Sequence, residues 1–269
     1  MELTGFDVRA FLAEDVGDGD LTSASVVPED AQLEASLLLK ERGVVCGLGV
    51  AETVFRELDA AVRFQALRED GDEAVGEVAR LDGNARVLLT GERTALNLLA
   101  RLSGVATLTR QYVDAVAGTR TQILDTRKTT PGLRALEKLA VRCGGGTNHR
   151  FGLYDGILIK DNHLRLAGGV AAAVRATRNQ GVAVEVECET LDDVREALEA
   201  GADILLLDNM SLSQLREAVL LVGGRAKTEA SGGVTLDTVQ AVAHTGVDFV
   251  SVGALTHSAR SLDVSMEVR

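Results

Sequence analysis

Between residues 120 and 252 the chain alternates between short apolar runs and longer segments with helical periodicity. The apolar runs cover residues 122–124, 156–159, 183–186, 203–207, 226–228 and 248–252. The segments between them, such as 191–200 and 212–222, repeat apolar residues at helical spacing. Strands that alternate with helices predict a parallel sheet. A run as apolar as 203–207 is typical of a strand that is covered on both faces.

The first 105 residues follow a less regular pattern. Apolar stretches predict strands over 35–40 and 73–81, and we expect the second strand to end in a turn at 82–84, where Asp, Gly and Asn follow each other. The segment 50–58 has helical spacing. This part of the chain is therefore predicted to mix strands and helices without strict alternation.

Helical spacing continues over residues 85–117, and we expect Gly91 and Gly104 to divide that stretch, because glycine weakens a helix interior. Near the start of the chain, Thr4 followed by Asp7 predicts a capped helix.

Polar residues follow the apolar runs at their carboxyl ends. They read Asp125-Thr126-Arg127-Lys128, Lys160-Asp161-Asn162, Glu185-Val186-Glu187, Asp208-Asn209, Glu229-Ala230-Ser231-Gly232-Gly233 and Ser251-Val252-Gly253. In an α/β barrel the loops after the strands converge on one face, and that face carries the active site. The sequence therefore predicts a barrel-type catalytic domain. An open doubly wound sheet is the alternative, and it would also bind ligands at these ends.

Charge is unevenly distributed. The 40 acidic and 28 basic residues give a net charge of −12, which argues against a nucleic-acid binder and against docking on anionic membranes. Nevertheless, nine lysines and arginines face only four acids between residues 120 and 165. Three of these bases, Arg134, Lys138 and Arg142, recur every four residues and predict a solvated helix face.

Four other bases in this window, Arg127, Lys128, Arg150 and Lys160, lie at strand ends or beyond glycines. Guanidinium groups suit carboxylates and ammonium groups suit phosphates, so their convergence predicts a polyanionic ligand. An alternative for Lys160 is a Schiff-base lysine, as in aldolases.

Two glycine loops and two carboxylates add to this picture. Ser231-Gly232-Gly233 and Val252-Gly253-Ala254 follow the last two runs, where barrels often bind phosphate. Glu187 and Asp208 end neighbouring runs and are either counter-ions or Mg²⁺ ligands. Glu185 shares a face with Glu187, so spacing alone leaves open which of the two faces the site.

The sequence indicates neither a membrane-spanning protein nor a disulfide-stabilised one. No apolar run approaches the roughly 18 residues that span a bilayer, and the acidic N-terminus is unlike a targeting segment. The three cysteines, Cys46, Cys143 and Cys188, are far apart, which predicts free buried thiols in a reducing cytoplasm.

Several motifs together resemble one family. The run ILDTRKTTPGLRALEKLAVRCGGGTNHRFGLYDGILIKDNH (123–163) is similar to the core of the decarboxylating quinolinate phosphoribosyltransferases. Further similar motifs are EDVGDGDLTS (14–23), GERTALNLLARLSGVAT (91–107), VEVE (184–187), AGADILLLDN (200–209), EASGGV (229–234) and VDFVSVGALTHS (247–258). The resemblance spans nearly the whole chain.

The resemblance implies a fold and a reaction. The fold would be an N-terminal α/β sandwich over 1–105, an incomplete α/β (TIM-like) barrel over 106–255, and a tail, 256–269, that returns to the first domain. The reaction would join quinolinate and phosphoribosyl pyrophosphate, with Mg²⁺, into nicotinate mononucleotide, CO₂ and pyrophosphate, a step of NAD biosynthesis.

The resemblance also implies roles for individual residues. The quinolinate carboxylates would be held by cationic residues, and the 5′-phosphate by the glycine loops. Lys128 and Lys160 would also face the pyrophosphate, and Glu187 and Asp208 would lie near the ribose and Mg²⁺; these four are the candidate catalytic residues. The candidate substrate-binding residues are Arg93, Thr126, Arg127, Lys128, His149, Arg150, Lys160, Ser231, Gly232, Gly233, Gly253 and His257.

In the family, the residue matching Arg93 reaches across a dimer interface into the neighbouring site. We therefore expect a cytoplasmic homodimer, or a hexamer, that binds neither nucleic acid nor membrane. A paralogue linked to molybdate transport shares the fold, but it departs from the NHR–GL–IKDNH pattern that this chain keeps. An anion-binding sensor on the same scaffold would have no use for Glu187 and Asp208.

Overall fold

The computed structural model describes residues 7–177 and 180–269, which form two compact units. Unit 1 contains the described residues up to Arg110 together with Thr130–Gly145 and Ser258–Arg269, and unit 2 contains Gln111–Thr129 and Gly146–His257. Of the predicted N-terminal cap, Thr4 lies outside the described residues. Asp7 caps the first helix, since its side chain accepts the Arg9 backbone N–H at 3.1 Å.

Unit 1 is built on an antiparallel sheet with the strand order β10-β1-β3-β2. Its strands are β1 (Gln32–Val44), β2 (Arg63–Ala66), β3 (Glu73–Asn84) and β10 (Val264–Val268). Its helices are α1 (Val8–Val16), α2 (Leu21–Val26), α3 (Leu48–Leu58), α5 (Arg134–Cys143) and the larger part of α4 (Ala85–Ala115). Strand β10, in the C-terminal tail, pairs antiparallel with β1, with Leu37 opposite Met266.

The turn predicted at 82–84 is wrong, because β3 continues through those residues. They pair with the start of β1, Asp82 opposite Glu34 and Asn84 opposite Gln32. Asp82 also forms an ion pair with Arg63 on β2, with 2.6 Å between Asp82 Oδ2 and Arg63 Nη2. Pairing on both sides of the strand outweighs the local turn preference of these residues.

Helix α4 is also continuous where two breaks were predicted. Gly91 and Gly104 lie inside it, and each is a point of close packing within unit 1. A Cβ on Gly104 would lie 1.9 Å from the Arg260 carbonyl oxygen, and one on Gly91 would lie 3.0 Å from Phe55. These glycines provide room for neighbouring chain segments, and the helix tolerates the modest cost of their flexibility.

Unit 2 contains the parallel sheet that the alternating pattern predicts. Its strands are β4 (Gln122–Leu124), β5 (Ile157–Ile159), β6 (Val184–Cys188), β7 (Ile204–Asp208), β8 (Lys227–Ser231) and β9 (Phe249–Ser251). Its helices are α6 (Asp161–Ala167), α7 (Val170–Thr177), α8 (Leu191–Ala200), α9 (Leu212–Val222), α10 (Leu236–Ala243) and α11 (Ala254–His257).

The order of the six strands is β4-β9-β8-β7-β6-β5, with every pair parallel. The first strand, β4, pairs with the last, β9, as in a barrel, and the sheet is open between β4 and β5, so it is an incomplete barrel. Central side chains such as Val186, Leu205 and Val250 are fully buried. The predicted fold class, an α/β protein with a second, N-terminal sheet, is confirmed.

Local signals set the ends of the helices in unit 2. Thr190 accepts the Asp193 backbone N–H at 3.2 Å, and Asp193 accepts the Thr190 N–H at 2.8 Å, which forms a reciprocal cap for α8. The helix ends at Gly201, which adopts a left-handed φ of 87°. The predicted bounds of α8 and α9 match the structure.

Two further expectations need correction. Strands β6 and β8 extend to Cys188 and Ser231, so Glu187 and Glu229 lie inside strands, where neighbouring strands pair with them. Lys138, predicted on a solvated face, is completely buried. Four-residue spacing identifies a face of a helix but does not say what covers that face.

No helix in the described ranges is long and apolar enough to cross a membrane.

Candidate active site

The carboxyl ends of the strands in unit 2 surround a cleft of about 830 Å³. The predicted site residues that line it are Thr126, Arg127, Lys128, His149, Arg150, Lys160, Glu187, Asp208, Ser231, Gly232, Gly233, Gly253 and His257. They come from loops and strand ends far apart in sequence. The parallel sheet brings them to one edge, as the strand-end pattern predicts.

Arg93 is the predicted site residue outside this group. It lies on α4 in unit 1, and its side chain is exposed. Its predicted role depends on a second subunit, so its placement within one chain leaves that role a prediction.

Arginine and lysine side chains crowd one part of the cleft. The Thr126 hydroxyl accepts the Lys128 backbone N–H at 3.1 Å, and Arg150 Nη1 donates to the Gly156 carbonyl at 3.0 Å. Burial, together with the charge of Arg127, lowers the pKa of Arg150 from its ordinary value. Two partly desolvated guanidinium groups that oppose each other's charge favour an anionic ligand between them.

Asp125 organises the loop that carries His149. Its carboxylate is fully buried and accepts the His149 backbone N–H at 2.8 Å and the Asn148 side-chain amide at 2.6 Å. A carboxylate with two such donors holds the loop in one conformation. Asp125 does not line the cleft itself. It therefore acts on the site by fixing the loop that carries His149.

The hydrogen bonds of His149 determine where its proton lies. Nδ1 accepts the Arg150 backbone N–H at 2.7 Å, so this nitrogen carries no proton. Nε2 then holds the proton of the neutral ring and lies 3.0 Å from Glu185 Oε2 and 3.7 Å from Glu229 Oε2. In this arrangement His149 contributes a dipole to the cleft, whereas Arg127 and Arg150 contribute positive charge.

Glu185 and Glu187 share a face of β6 but have different surroundings. Glu187 lines the cleft, and its Oε2 lies 2.5 Å from the Nζ of Lys160. Glu185 is only 3% exposed and contacts His149. Period-two spacing places both side chains on the same side, and the geometry assigns Glu187 to the cleft and Glu185 to the buried layer.

Asp208 lies on the next strand, β7, and also lines the cleft. It accepts the side-chain amide of Asn209 at 2.6 Å. Carboxylates on adjacent strands that open into one cleft form the hard oxygen donor set that Mg²⁺ prefers.

The glycine loops also line the cleft. Gly232 has a φ of 100°, and a Cβ there would lie 2.2 Å from Asn209 Oδ1. At Gly253 a Cβ would lie 3.2 Å from His257 Nε2. Only glycine leaves backbone N–H groups and this much space at these positions, and a phosphate can approach such a surface closely.

Four lining residues with polar side chains were not among the predicted site residues: Asn209, Glu229, Thr235 and Ser251. Asn209, which follows Asp208, adopts a left-handed φ of 54°. Asparagine tolerates this conformation better than most other residues do. Glu229 lines the cleft two residues before Ser231, and the same period-two spacing that linked Glu185 to Glu187 was the available signal.

Known proteins match the chain along nearly its whole length. The family model "Quinolinate phosphoribosyl transferase, N-terminal domain" matches residues 20–103, and the model of the C-terminal domain of that family matches residues 105–267. A probable nicotinate-nucleotide pyrophosphorylase [carboxylating] of Bacillus subtilis is 48% identical over 263 residues, which cover 96% of this chain and 91% of that one. The chloroplastic nicotinate-nucleotide pyrophosphorylase [carboxylating] of Arabidopsis thaliana is 41% identical over 285 residues, covering 97% and 81%.

Solved structures agree with these relatives. The nicotinate-nucleotide pyrophosphorylase of Francisella tularensis superposes with a TM-score of 0.94 at 42% identity, over 97% of this chain and 94% of that one. The resemblance drawn from the motifs is confirmed, and the chain belongs to the quinolinate phosphoribosyltransferase family.

Proposed function

We propose that the protein transfers the phosphoribosyl group of phosphoribosyl pyrophosphate to quinolinate and decarboxylates the product to nicotinate mononucleotide. One observation carries this proposal. A single cleft combines arginine and lysine side chains, the carboxylates of Glu187 and Asp208, and two glycine loops, and these suit a dicarboxylate, a ribose and a phosphate respectively. Its relatives carry the names of enzymes with this activity.

The charged groups suggest how the substrates are held. Arg127 and Arg150, with His149 beside them in the lining of the cleft, form the subsite for the quinolinate carboxylates. Ser231, Gly232 and Gly253, with His257, form the subsite for the 5′-phosphate. Holding the ring nitrogen and the sugar carbon in one cleft converts a bimolecular reaction into an effectively unimolecular one.

The carboxylates act at the bond that breaks. Departure of pyrophosphate leaves positive charge on the ribose, and Glu187 and Asp208 stabilise that charge. Lys128 and Lys160 neutralise the charge of the leaving pyrophosphate. Mg²⁺, which the oxygens of Glu187 and Asp208 fit, would supply further neutralisation of the pyrophosphate.

Decarboxylation follows from the new bond. Once the ring nitrogen carries ribose it is positively charged, and the electron pair left on the neighbouring ring carbon by departing CO₂ is stabilised by that charge. A proton then takes the place of the carboxylate. The residues of the chain need only hold the ring and exclude competing anions.

The decisive assay mixes the protein with quinolinate, phosphoribosyl pyrophosphate and Mg²⁺ and measures nicotinate mononucleotide. We expect product that requires all three and falls at least 100-fold in Lys160→Ala. Lys227→Ala is the matched control, since Lys227 begins β8 and lies outside the cleft. Equal product from nicotinate would overturn the proposal. Borohydride trapping of a carbonyl substrate on Lys160 would instead indicate an aldolase.

The assembly we propose is a homodimer, alone or within a hexamer, in which Arg93 completes the quinolinate subsite of the neighbouring chain. Its exposed position on α4 supports this role. Mixing equal amounts of inactive Arg93→Ala and Lys160→Ala chains should restore about a quarter of the wild-type activity, since about half of the dimers are then heterodimers and each heterodimer contains one intact site of two. Failure of rescue would place Arg93 outside any shared site.

The free thiols of Cys46, Cys143 and Cys188 support a cytoplasmic location.

A further inference from the structure

Two acidic side chains meet His149 at the buried end of the cleft. Glu229 on β8 is 1% exposed and Glu185 on β6 is 3% exposed. From His149 Nε2, the distance is 3.7 Å to Glu229 Oε2 and 3.0 Å to Glu185 Oε2. Strand β7 separates their two strands, and Leu206, the β7 residue paired with Glu229, is apolar.

This cluster has more acceptors than donors. The neutral ring of His149 offers one proton, on Nε2, to four carboxylate oxygens. Glu185 Oε1 and Glu229 Oε1 are buried and find no hydrogen-bond partner among the described residues. A buried carboxylate with an unsatisfied oxygen is costly, and two facing carboxylates are costlier, so one of them is expected to retain its proton.

The surroundings identify Glu229 as the protonated one. Burial, followed by the negative charge of Glu185, raises the pKa of Glu229 to about 8, whereas His149 and a hydrogen bond from Ser251 on β9 act in the opposite direction. Positive charge lies near the other carboxylate, since Glu185 interacts electrostatically with Arg150. Glu229 is therefore the carboxyl group of the pair that retains its proton.

We propose that Glu229 is a positioning residue that must be a neutral carboxylic acid for the cleft to bind quinolinate. The inference rests on the proposed function of the cleft. A protonated Glu229 shares its proton with Glu185, and the pair leaves one negative charge beneath His149. If Glu229 ionises, a second negative charge lies on the wall of the cleft that receives the dicarboxylate, and it repels that substrate.

The sign of the pH dependence follows. Below about pH 8 Glu229 is neutral, and the Michaelis constant for quinolinate does not change with pH. Above that pH this Michaelis constant rises towards tenfold per pH unit, because only protein with a protonated Glu229 binds quinolinate.

The test compares wild type with Glu229→Gln, an isostere of the neutral acid, between pH 7 and pH 9.5. We expect the wild-type Michaelis constant for quinolinate to rise at least tenfold and that of the variant to change less than twofold. Glu217→Gln, at an exposed position on α9, is the control and should follow wild type. A parallel rise in wild type and Glu229→Gln would show that another group titrates and would overturn the proposal.

The variant also excludes a different role for the cluster. The ligand atoms of His149, Glu185 and Glu229 lie within 4.8 Å of one another, as they would around a divalent cation. If Glu229 ligates a cation, Glu229→Gln should lose more than 100-fold in kcat/KM at pH 7, and that result would overturn the proposal.

An infrared measurement makes the test independent of catalysis and of the folding of any variant. The wild-type difference spectrum between pH 7 and pH 9.5 should lose the carbonyl band of a protonated carboxyl group. Absence of that band at pH 7 would show that Glu229 is ionised, whether or not the protein acts on quinolinate. Failure of the proposed function has a different signature, because wild type would then form no product at any pH.

Discussion

The Nζ of Lys160 lies 2.5 Å from Oε2 of Glu187, so the lysine and this cleft carboxylate form an ion pair. Lys160 is about half exposed, whereas Glu187 is only 11% exposed. The carboxylate is therefore fixed by the strand, and the lysine reaches towards it from the start of α6. Substrates must enter a cleft in which these opposite charges are already paired.

This pairing predicts the effect of Glu187→Gln. The variant removes the negative charge that stabilises the ribose in the transition state, and it releases Lys160 for the anionic substrate. We expect kcat to fall roughly 100-fold while the Michaelis constant for quinolinate does not rise. Steady-state kinetics with both substrates measures this split. Glu189→Gln, at an exposed position two residues further on, should be silent; a fall in kcat of less than threefold for Glu187→Gln would contradict the role.

A second prediction concerns the phosphate loop. Gly232→Ala places a Cβ 2.2 Å from Asn209 Oδ1 in a residue with a φ of 100°. We expect the Michaelis constant for phosphoribosyl pyrophosphate to rise at least tenfold, with inhibition by inorganic phosphate weakened in parallel. Gly224→Ala is the control, because Gly224 also has a positive φ but has open space around it and lies outside the cleft. Equal kinetic effects in both variants would attribute the change to backbone strain alone.

A third prediction concerns the ion pair between Arg101 and Glu137 in unit 1. Glu137 is fully buried, accepts Arg101 Nη2 at 2.6 Å, and also accepts the Thr130 hydroxyl at 2.8 Å and its N–H at 3.0 Å. Glu137→Ala should lower the free energy of unfolding by about 3 kcal/mol, because the partly buried Arg101 guanidinium loses its carboxylate. Urea unfolding provides the measurement. Asp192→Ala, which breaks the exposed pair with Arg195, should cost less than about 1 kcal/mol.

Helix α4 allows a test in which two physical effects have opposite signs. Gly104→Ala should stabilise the helix by about 1 kcal/mol if intrinsic propensity decides the outcome. The structure predicts destabilisation instead, because the new Cβ would lie 1.9 Å from the Arg260 carbonyl oxygen. Gly49→Ala on α3, where nothing lies within 4 Å, should follow propensity. An increase in the urea midpoint for Gly104→Ala would show that the tail segment moves aside at little cost.

The sequence predicted well where a signal is local and repeated. The six strands of unit 2, helices α8 and α9, and the strand ends that line the cleft all depend on short-range periodicity and on the geometry of parallel sheets. Predictions failed where a distant segment decides the outcome. The turn at 82–84 is overridden by pairing with β1, and Gly104 packs against a segment more than 150 residues later.

Charged residues show the same limit. Spacing placed Lys138 on a helix face but could not show that this face is covered. Spacing also placed Glu185 and Glu187 on one side of β6 but could not show that one is buried against His149 while the other pairs with Lys160. Both outcomes depend on what lies on neighbouring elements, which no pattern within a single segment records.

The last prediction concerns the pH dependence of stability and follows from the buried acid Glu229. Its pKa is about 8 in the folded chain, against roughly 4.3 for an unperturbed glutamate in an unfolded chain. Between these two values the folded protein holds a proton that the unfolded chain releases. Stability therefore decreases as the pH rises through this window, by up to about 1.4 kcal/mol per pH unit for this one group. Glu229→Gln removes the effect, so the stability of the variant relative to wild type should increase from pH 5 to pH 8 and level off above. Urea unfolding of both proteins at pH 5, 6.5, 8 and 9 measures this difference, with Glu217→Gln as the control. A difference that is the same at every pH would mean that Glu229 is ionised throughout in the folded protein.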